Sequence, residues 1–159
     1  MPSTNLLRID GAVERPLTLG YNDLVRMDAR DQIADLKRHG YQRAGDAVRL
    51  SALLRLARVH SYARFLGLHG AADDFHASIP LDAVLDRALV IFRIDGAPLP
   101  TAIGGPFRLF IPDHAACQAA EVDECANVKF LDRIELTTEK GHDNRPRDEA
   151  EHAKLHRPQ

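Results

Sequence analysis

SIPLDAV (78–84), IFRIDGAPLP (91–100), GGPFRLFIP (104–112) and ANVKFLDRIEL (126–136) follow one another in the second half of the chain, and their reading decides the fold. Phe75 to Ile79 leads into the first segment as a strand. Leu81 to Arg87 reads as a short helix, with Pro80 near its first turn, where a missing amide is tolerated. Leu89 to Ile94 is apolar enough for a buried strand. Asp95-Gly96 turns the chain toward Leu99, and Gly104-Gly105-Pro106 breaks it again. Phe107 to Ile111 is a further strand, and Val128 to Phe130 and Ile134 to Thr138 complete the set.

Outward from this core, Leu6 to Ile9 is a short apolar segment ending at the turn signal Asp10-Gly11. Leu17 and Leu19 alternate after Pro16, and Tyr21 to Met27 is a short helix that Thr18 is placed to cap. Asp28 to Asp46 is polar and reads as a strand fragment plus a long loop, the kind of segment that carries function in a compact domain. Val48 to Val59 carries a helical apolar stripe, opened by Ser51 as N-cap. Tyr62 to Leu68 alternates as a strand. Short strands with a few short helices, without regular βαβ alternation or an internal repeat, predict an α+β domain. Residues 1–138 form that domain, and the polar stretch 139–159 reads as a tail.

Composition narrows the function classes. A chain of 159 residues fits one domain, and 45% hydrophobic with 28% charged residues is ordinary for a globular protein. Trp is absent and aromatics reach only 6%, so aliphatic side chains must fill the core. The formal net charge of -2 gives no electrostatic reason to expect nucleic acid. No run approaches the roughly 20 apolar residues of a membrane span. The N-terminus does not read as a signal peptide, so the expected location is cytoplasmic, where two cysteines stay reduced.

The order of these segments resembles the molybdopterin-binding domain of the sulfite oxidase family. LLRIDGAVERPLTLGYNDLVRM (6–27) is similar to the family's opening, and GDAVRLSALLRLA (45–57) to its helix entry. The run 73–112 resembles the family's "S-x-P-L" through "G-x-P-x-R-L-x-x-P" stretch, and ANVKFLDRIEL its "N-V-K-W-L-x-x-I-E" segment. The resemblance spans roughly Asn5 to Leu136 and implies a sulfite-oxidase-like fold of mixed sheets of short strands. It also implies that the matching segments lie around a pterin and its phosphate.

On that basis Arg108, Lys129, Gly104, Gly105 and His76 are the cofactor-contact candidates. Arg108 offers a planar fork to a phosphate and Lys129 a second cation. Gly104 and Gly105 let the backbone turn tightly and approach a bulky ligand. His76 falls where the family lines its pocket, with Asp73 and Asp74 able to orient its ring. The competing reading of Arg108 is an ion pair with a carboxylate such as Asp113.

One departure stands out. Between Met27 and Gly45 the family places the cysteine that ligates molybdenum. Here Asp35 or Leu36 falls near that position, and the only cysteines, Cys117 and Cys125, lie downstream. A carboxylate is a poor replacement for a soft thiolate. Arg30, Lys37, His39 and Arg43 remain in this loop, either to hold an anion or to solvate it.

His114, Cys117 and Cys125 are metal candidates, since His114 and Cys117 are three apart, a spacing that would bring them together on one helical turn, although no C-x-x-C pair exists. Cys125 is also a candidate active-site thiol that Lys129 would activate. Against both stands the commonest use of cysteine, a buried small apolar side chain. His152 and His156 are spaced to chelate on a helix but lie in the polar tail.

The expectation is a divergent or non-catalytic member of the sulfite oxidase family that holds a pterin cofactor or another small anion. The alternatives are an active molybdenum-cofactor-dependent oxidoreductase with an atypical metal ligand, and a small zinc or thiol-redox protein using Cys117 and Cys125. The partner expected is a small anionic ligand, with a protein partner or homodimer compatible.

Overall fold

A strand buried on both faces has no polar side to alternate with, and Leu89–Ile94 is such a strand. Leu89 and Ile91 enter one apolar cluster and Val90 and Phe92 another, so this strand separates two cores. The computed structural model describes residues 5–113 and 122–145.

The strands in chain order are β1 (Leu7–Gly11), β2 (Leu17–Leu19), β3 (Gln32–Ile33), β4 (Asp46–Arg49), β5 (Phe65–Gly70), β6 (Phe75–Pro80), β7 (Leu89–Ile94), β8 (Ala97–Pro98), β9 (Arg108–Phe110) and β10 (Arg133–Thr137). The helices are α1 (Tyr21–Val25), α2 (Leu50–Ala57) and α3 (Leu81–Val84). One sheet runs β2-β1-β10-β5-β6, and the other runs β3-β4-β7-β8 with β9 also on β7. Among the described residues only β1 and β10 pair in parallel, with Ile9 opposite Ile134. The expected α+β class, with short strands in two sheets and few helices, is the one observed.

The larger core takes the inward residues of the first sheet, among them Leu7, Ile9, Leu66, Leu68, Ile134 and Leu136. Period-two alternation turns Arg133, Glu135, His69, His76 and Ser78 to the opposite face. The smaller core lies under the 33–45 loop and joins Ile33, Leu36, Ala47, Ile91, Leu99 and Phe110. Among the described residues no helix is long and apolar enough to cross a membrane.

Several boundaries differ from the sequence reading, each for a local reason. Val48 belongs to β4, paired on both sides by β3 and β7, so α2 opens only at Leu50, and Ser51 lies inside its first turn. Thr18 is held in β2 opposite Arg8, and the cap of α1 is Gly20, whose amide donates to the Asp23 carboxylate at 2.7 Å. Tyr62 precedes β5, half exposed and stacked on His60. Val128 to Phe130 is not a strand, because Phe130 takes a left-handed φ of 54°.

Residues 141–145, within the stretch read as a tail, lie along the outer edge of β6. Asn144 exchanges two hydrogen bonds with the His76 backbone, and Asp143 accepts from the Ser78 amide at 3.0 Å.

Leu36 is fully buried in the smaller core. Leu36→Ala is expected to cost about 3 kcal/mol of unfolding free energy, read by urea denaturation.

Candidate functional site

Arg108 opens β9, and alternation places it on the same face as Phe110, toward the 33–45 loop. Phe110 meets Tyr41 edge-on there, at 5.9 Å between ring centroids. Arg108 is buried, with 8% of its surface exposed. Nη1 donates to the Ile103 carbonyl at 3.2 Å, while Nε is buried with no hydrogen-bond partner among the described residues. Burial, and then the charge of Arg43, push its pKa down to about 10. Asp113 is exposed and makes no ion pair with it among the described residues. A buried guanidinium beside a second cation, with a donor left over, is the arrangement an anion completes.

Gly104 and Gly105 build the wall of this site. Gly104 has φ +94°, and a Cβ there would lie 3.1 Å from Arg108 Cδ and 3.1 Å from Lys129 Cγ. The bare glycine therefore sits between the two cationic side chains. A Cβ on Gly105 would collide with the Leu99 carbonyl oxygen, so this backbone crosses another at closest approach. The Phe130 amide donates to the Gly104 carbonyl at 2.8 Å and the Leu131 amide to the Phe107 carbonyl at 2.8 Å. These bonds lock the segment bearing Lys129 to the one bearing Arg108. Lys129 itself is exposed, as a cation at the mouth must be.

The oxidoreductase molybdopterin binding domain family model matches residues 2–145. The chain belongs to this family. Among solved structures it is similar to the sulfane dehydrogenase SoxCD of Paracoccus pantotrophus, with 24% identity and a TM-score of 0.64. That match covers 88% of this chain and 40% of the other, so the chain spans less than half of that neighbour's length, and the likeness is one of fold. No curated protein matches the sequence.

As a test of fit to the family's cofactor, the two ends of the site differ. The anionic end fits: an orphaned buried Nε and a glycine cradle between two cations await negative charge. The metal end does not. Asp35 is exposed at φ 55°, its amide held by the Asp46 carboxylate at 2.7 Å, and Leu36 beside it is spent in the smaller core. Neither position carries a soft donor. Of the loop cations, Arg43 acts on Arg108, whereas Arg30 is exposed and paired with Asp28 at 2.9 Å.

Cys125 is half-buried in the turn Glu124–Ala126, on the same segment as Lys129. Asn127 beside it accepts from the Ile111 amide at 2.6 Å and so fixes that segment on the far end of β9's strand run. His114, Cys117, His152 and His156 lie outside the described residues. Among the described residues no group of three or more His, Cys, Asp or Glu side chains is arranged to hold a metal ion.

His76 is engaged elsewhere than with Arg108. Its Nδ1 faces His69 Nδ1 at 2.7 Å and its Nε2 meets Asp74 at 2.8 Å. The sequence reading found no companion for His69. The signal lay in the β5–β6 hairpin, whose short turn sets His69 directly opposite His76. Asp73 stands between the two regions: burial raises its pKa, and the charges of Lys129 and His76 both act against that rise.

A surface groove of about 450 Å³ is lined by Asp23, Arg26, Asp31, Arg55 and Leu56, among others. Its lining does not include Arg108 or Lys129, and two of its charged residues, Arg55 and Asp31, pair with each other at 2.8 Å. The Arg108 Nε, buried without a partner among the described residues, is the stronger mark of a ligand.

Replacing a buried, unpaired charge with an apolar side chain of similar length removes a desolvation cost. Arg108→Met is expected to stabilise the ligand-free protein by about 1 kcal/mol, while Gly105→Ala destabilises it by about 3 kcal/mol. Chemical denaturation of both variants checks this pair of opposite signs.

Proposed function

We propose that this protein binds a pterin cofactor through its phosphate, at a site made by Arg108, Lys129, Arg43 and Gly104, and does so without a protein thiolate on the metal. The observation that carries the reading is the buried Arg108, whose Nε has no partner among the described residues and whose charged neighbour there is another cation, Arg43. A phosphate supplies the missing acceptors and the missing negative charge in one group. Family membership supplies the pterin as the group that bears it. Arg108 and Arg43 hold the phosphate, Lys129 adds a cation at the mouth, and Gly104, with no Cβ, lets the Arg108 and Lys129 side chains approach each other.

The metal of such a cofactor supplies two-electron redox chemistry when a soft donor set holds it. Asp35 and Leu36 offer none, which favours a cofactor-holding member without turnover over an active oxidoreductase.

Protein expressed in a host that makes the molybdenum cofactor is the material for the test. Pterin fluorescence after release should report about one pterin per chain, with molybdenum well below that ratio. Arg108→Met and Lys129→Ala should each lower pterin content by about tenfold or more, as loss of a charge-assisted contact does. Wild-type protein with no pterin would overturn the reading. Stoichiometric molybdenum would instead favour the oxidoreductase with an atypical ligand.

A further inference from the structure

On the outer face of the first sheet, two histidines share a hydrogen bond and each has a carboxylate at its other end. Glu135 Oε1 lies 3.0 Å from His69 Nε2, His69 Nδ1 lies 2.7 Å from His76 Nδ1, and His76 Nε2 lies 2.8 Å from Asp74 Oδ1. Proton counting fixes what this row can hold. Ionised carboxylates only accept, so both Nε2 atoms must carry protons. The two Nδ1 atoms share one contact, so one donates and the other accepts. The row is complete with three ring protons on two rings, one imidazole and one imidazolium. A fourth proton would set two N–H donors against each other at 2.7 Å.

The sheet is built around this row. Gly67 lies beside it, and a Cβ there would come within 3.1 Å of His69 Nε2 and 3.3 Å of Glu135 Cβ. The missing side chain is what lets His69 lean over to Glu135. Segment 141–145 covers the row from the edge. His142 packs its ring on His76 at 4.4 Å between centroids. Asn144 Oδ1 accepts from the His76 amide at 2.8 Å, and its Nδ2 donates to the Asp74 carbonyl at 2.6 Å. The Gly141 amide donates to Ser78 Oγ at 2.9 Å, and the buried Arg145 clasps Asp143 and reaches Asp123 at 3.1 Å.

We infer that the His69–His76 pair is an acid-released latch: it fastens segment 141–145 over β6 until both rings are imidazolium, when two N–H donors face each other, the rings part and the segment is released. His76 carries the load, because its ring supports His142 and its backbone is bonded to Asn144. The charges facing the pair come from every neighbouring element. Glu135 and Arg133 approach from β10, Asp73 and Asp74 from the hairpin turn, His142 from the covering segment, and Lys129 acts through Asp73. Burial is the largest influence on His69 and lowers its pKa; the Glu135 bond opposes this, and the charges of His76 and Arg133 add to it. Burial pushes Asp143 up, but bonds from Arg145 and the Ser78 amide outweigh it and hold the carboxyl below its ordinary range. Asp143 therefore stays ionised through the imidazole range.

The sign follows. A histidine whose folded pKa is lowered gives stability that is complete above the ordinary imidazole value near 6.5, and that stability is lost as pH falls below it. The covering segment should therefore open on acidification. In the full chain, amide hydrogen exchange read by NMR gives protection factors, corrected for the intrinsic rate, at His76 and Ser78. Both amides are bonded outward only to this segment. Opening linked to one proton lowers their protection by about tenfold per pH unit below the imidazole range. Leu66 and Leu68 in β5 should show no such slope between pH 7.5 and 5. In His69→Gln the slope should vanish. Asn144→Ala should lower protection at every pH without changing the slope. If His69→Gln does not fold, His76→Gln asks the same question from the more exposed ring. A flat profile in the wild type, or an equal slope in the histidine variants, would overturn the latch.

Discussion

A positive charge buried without a negative one is the constraint from which the site follows. Among the described residues, Arg108 has left water, gives one bond to a carbonyl, and keeps a buried Nε without a partner. Taking a guanidinium out of water unpaired costs several kcal/mol, and nearby Arg43 adds to that cost. Folding has to supply the difference from elsewhere. The two apolar clusters on either face of β7 do so, and β9, which carries Arg108, is fastened to β7 through Leu89–Phe110 and Ile91–Arg108 pairing.

The same architecture explains why the site is rigid at its floor and open at its mouth. Gly105 threads against the Leu99 backbone, and the bare Gly104 lets the Arg108 and Lys129 side chains come within 3.1 Å of where a Cβ would stand. Two backbone bonds then draw the 129–131 segment onto this turn. Lys129 is thereby carried to the edge without being buried. Charge is concentrated where the backbone is fixed, which is the condition for preorganised binding of an anion. The 33–45 loop is anchored to the smaller core at Leu36.

Much of this was legible in the sequence, and the limits have physical reasons. The Leu89–Ile94 strand was read correctly because a strand buried on both faces is a continuous apolar run. Arg108, Gly104 and Lys129 were singled out through ordered motifs, and Gly104 lies beside both side chains. Val48 was assigned to a helix because its apolar spacing continues into α2, and only pairing with β3 and β7 reveals the strand. Val128–Phe130 looked like a strand by composition, but the left-handed backbone at Phe130 is invisible to it. His69 escaped notice because its partner is set by hairpin register, and residues 141–145 because polar side chains can bond an edge strand as well as solvate a tail.

The central claim is that Arg108 is buried for an anion. The most direct measurement is the melting temperature of the ligand-free protein as inorganic phosphate is raised at constant ionic strength, for wild type and Arg108→Met. Ligand that binds only the native state raises stability with the logarithm of its concentration. The account predicts a phosphate-dependent rise in the wild type and none in Arg108→Met, even though the variant starts from the higher value. Equal rises in both proteins, or no rise in either, would contradict it.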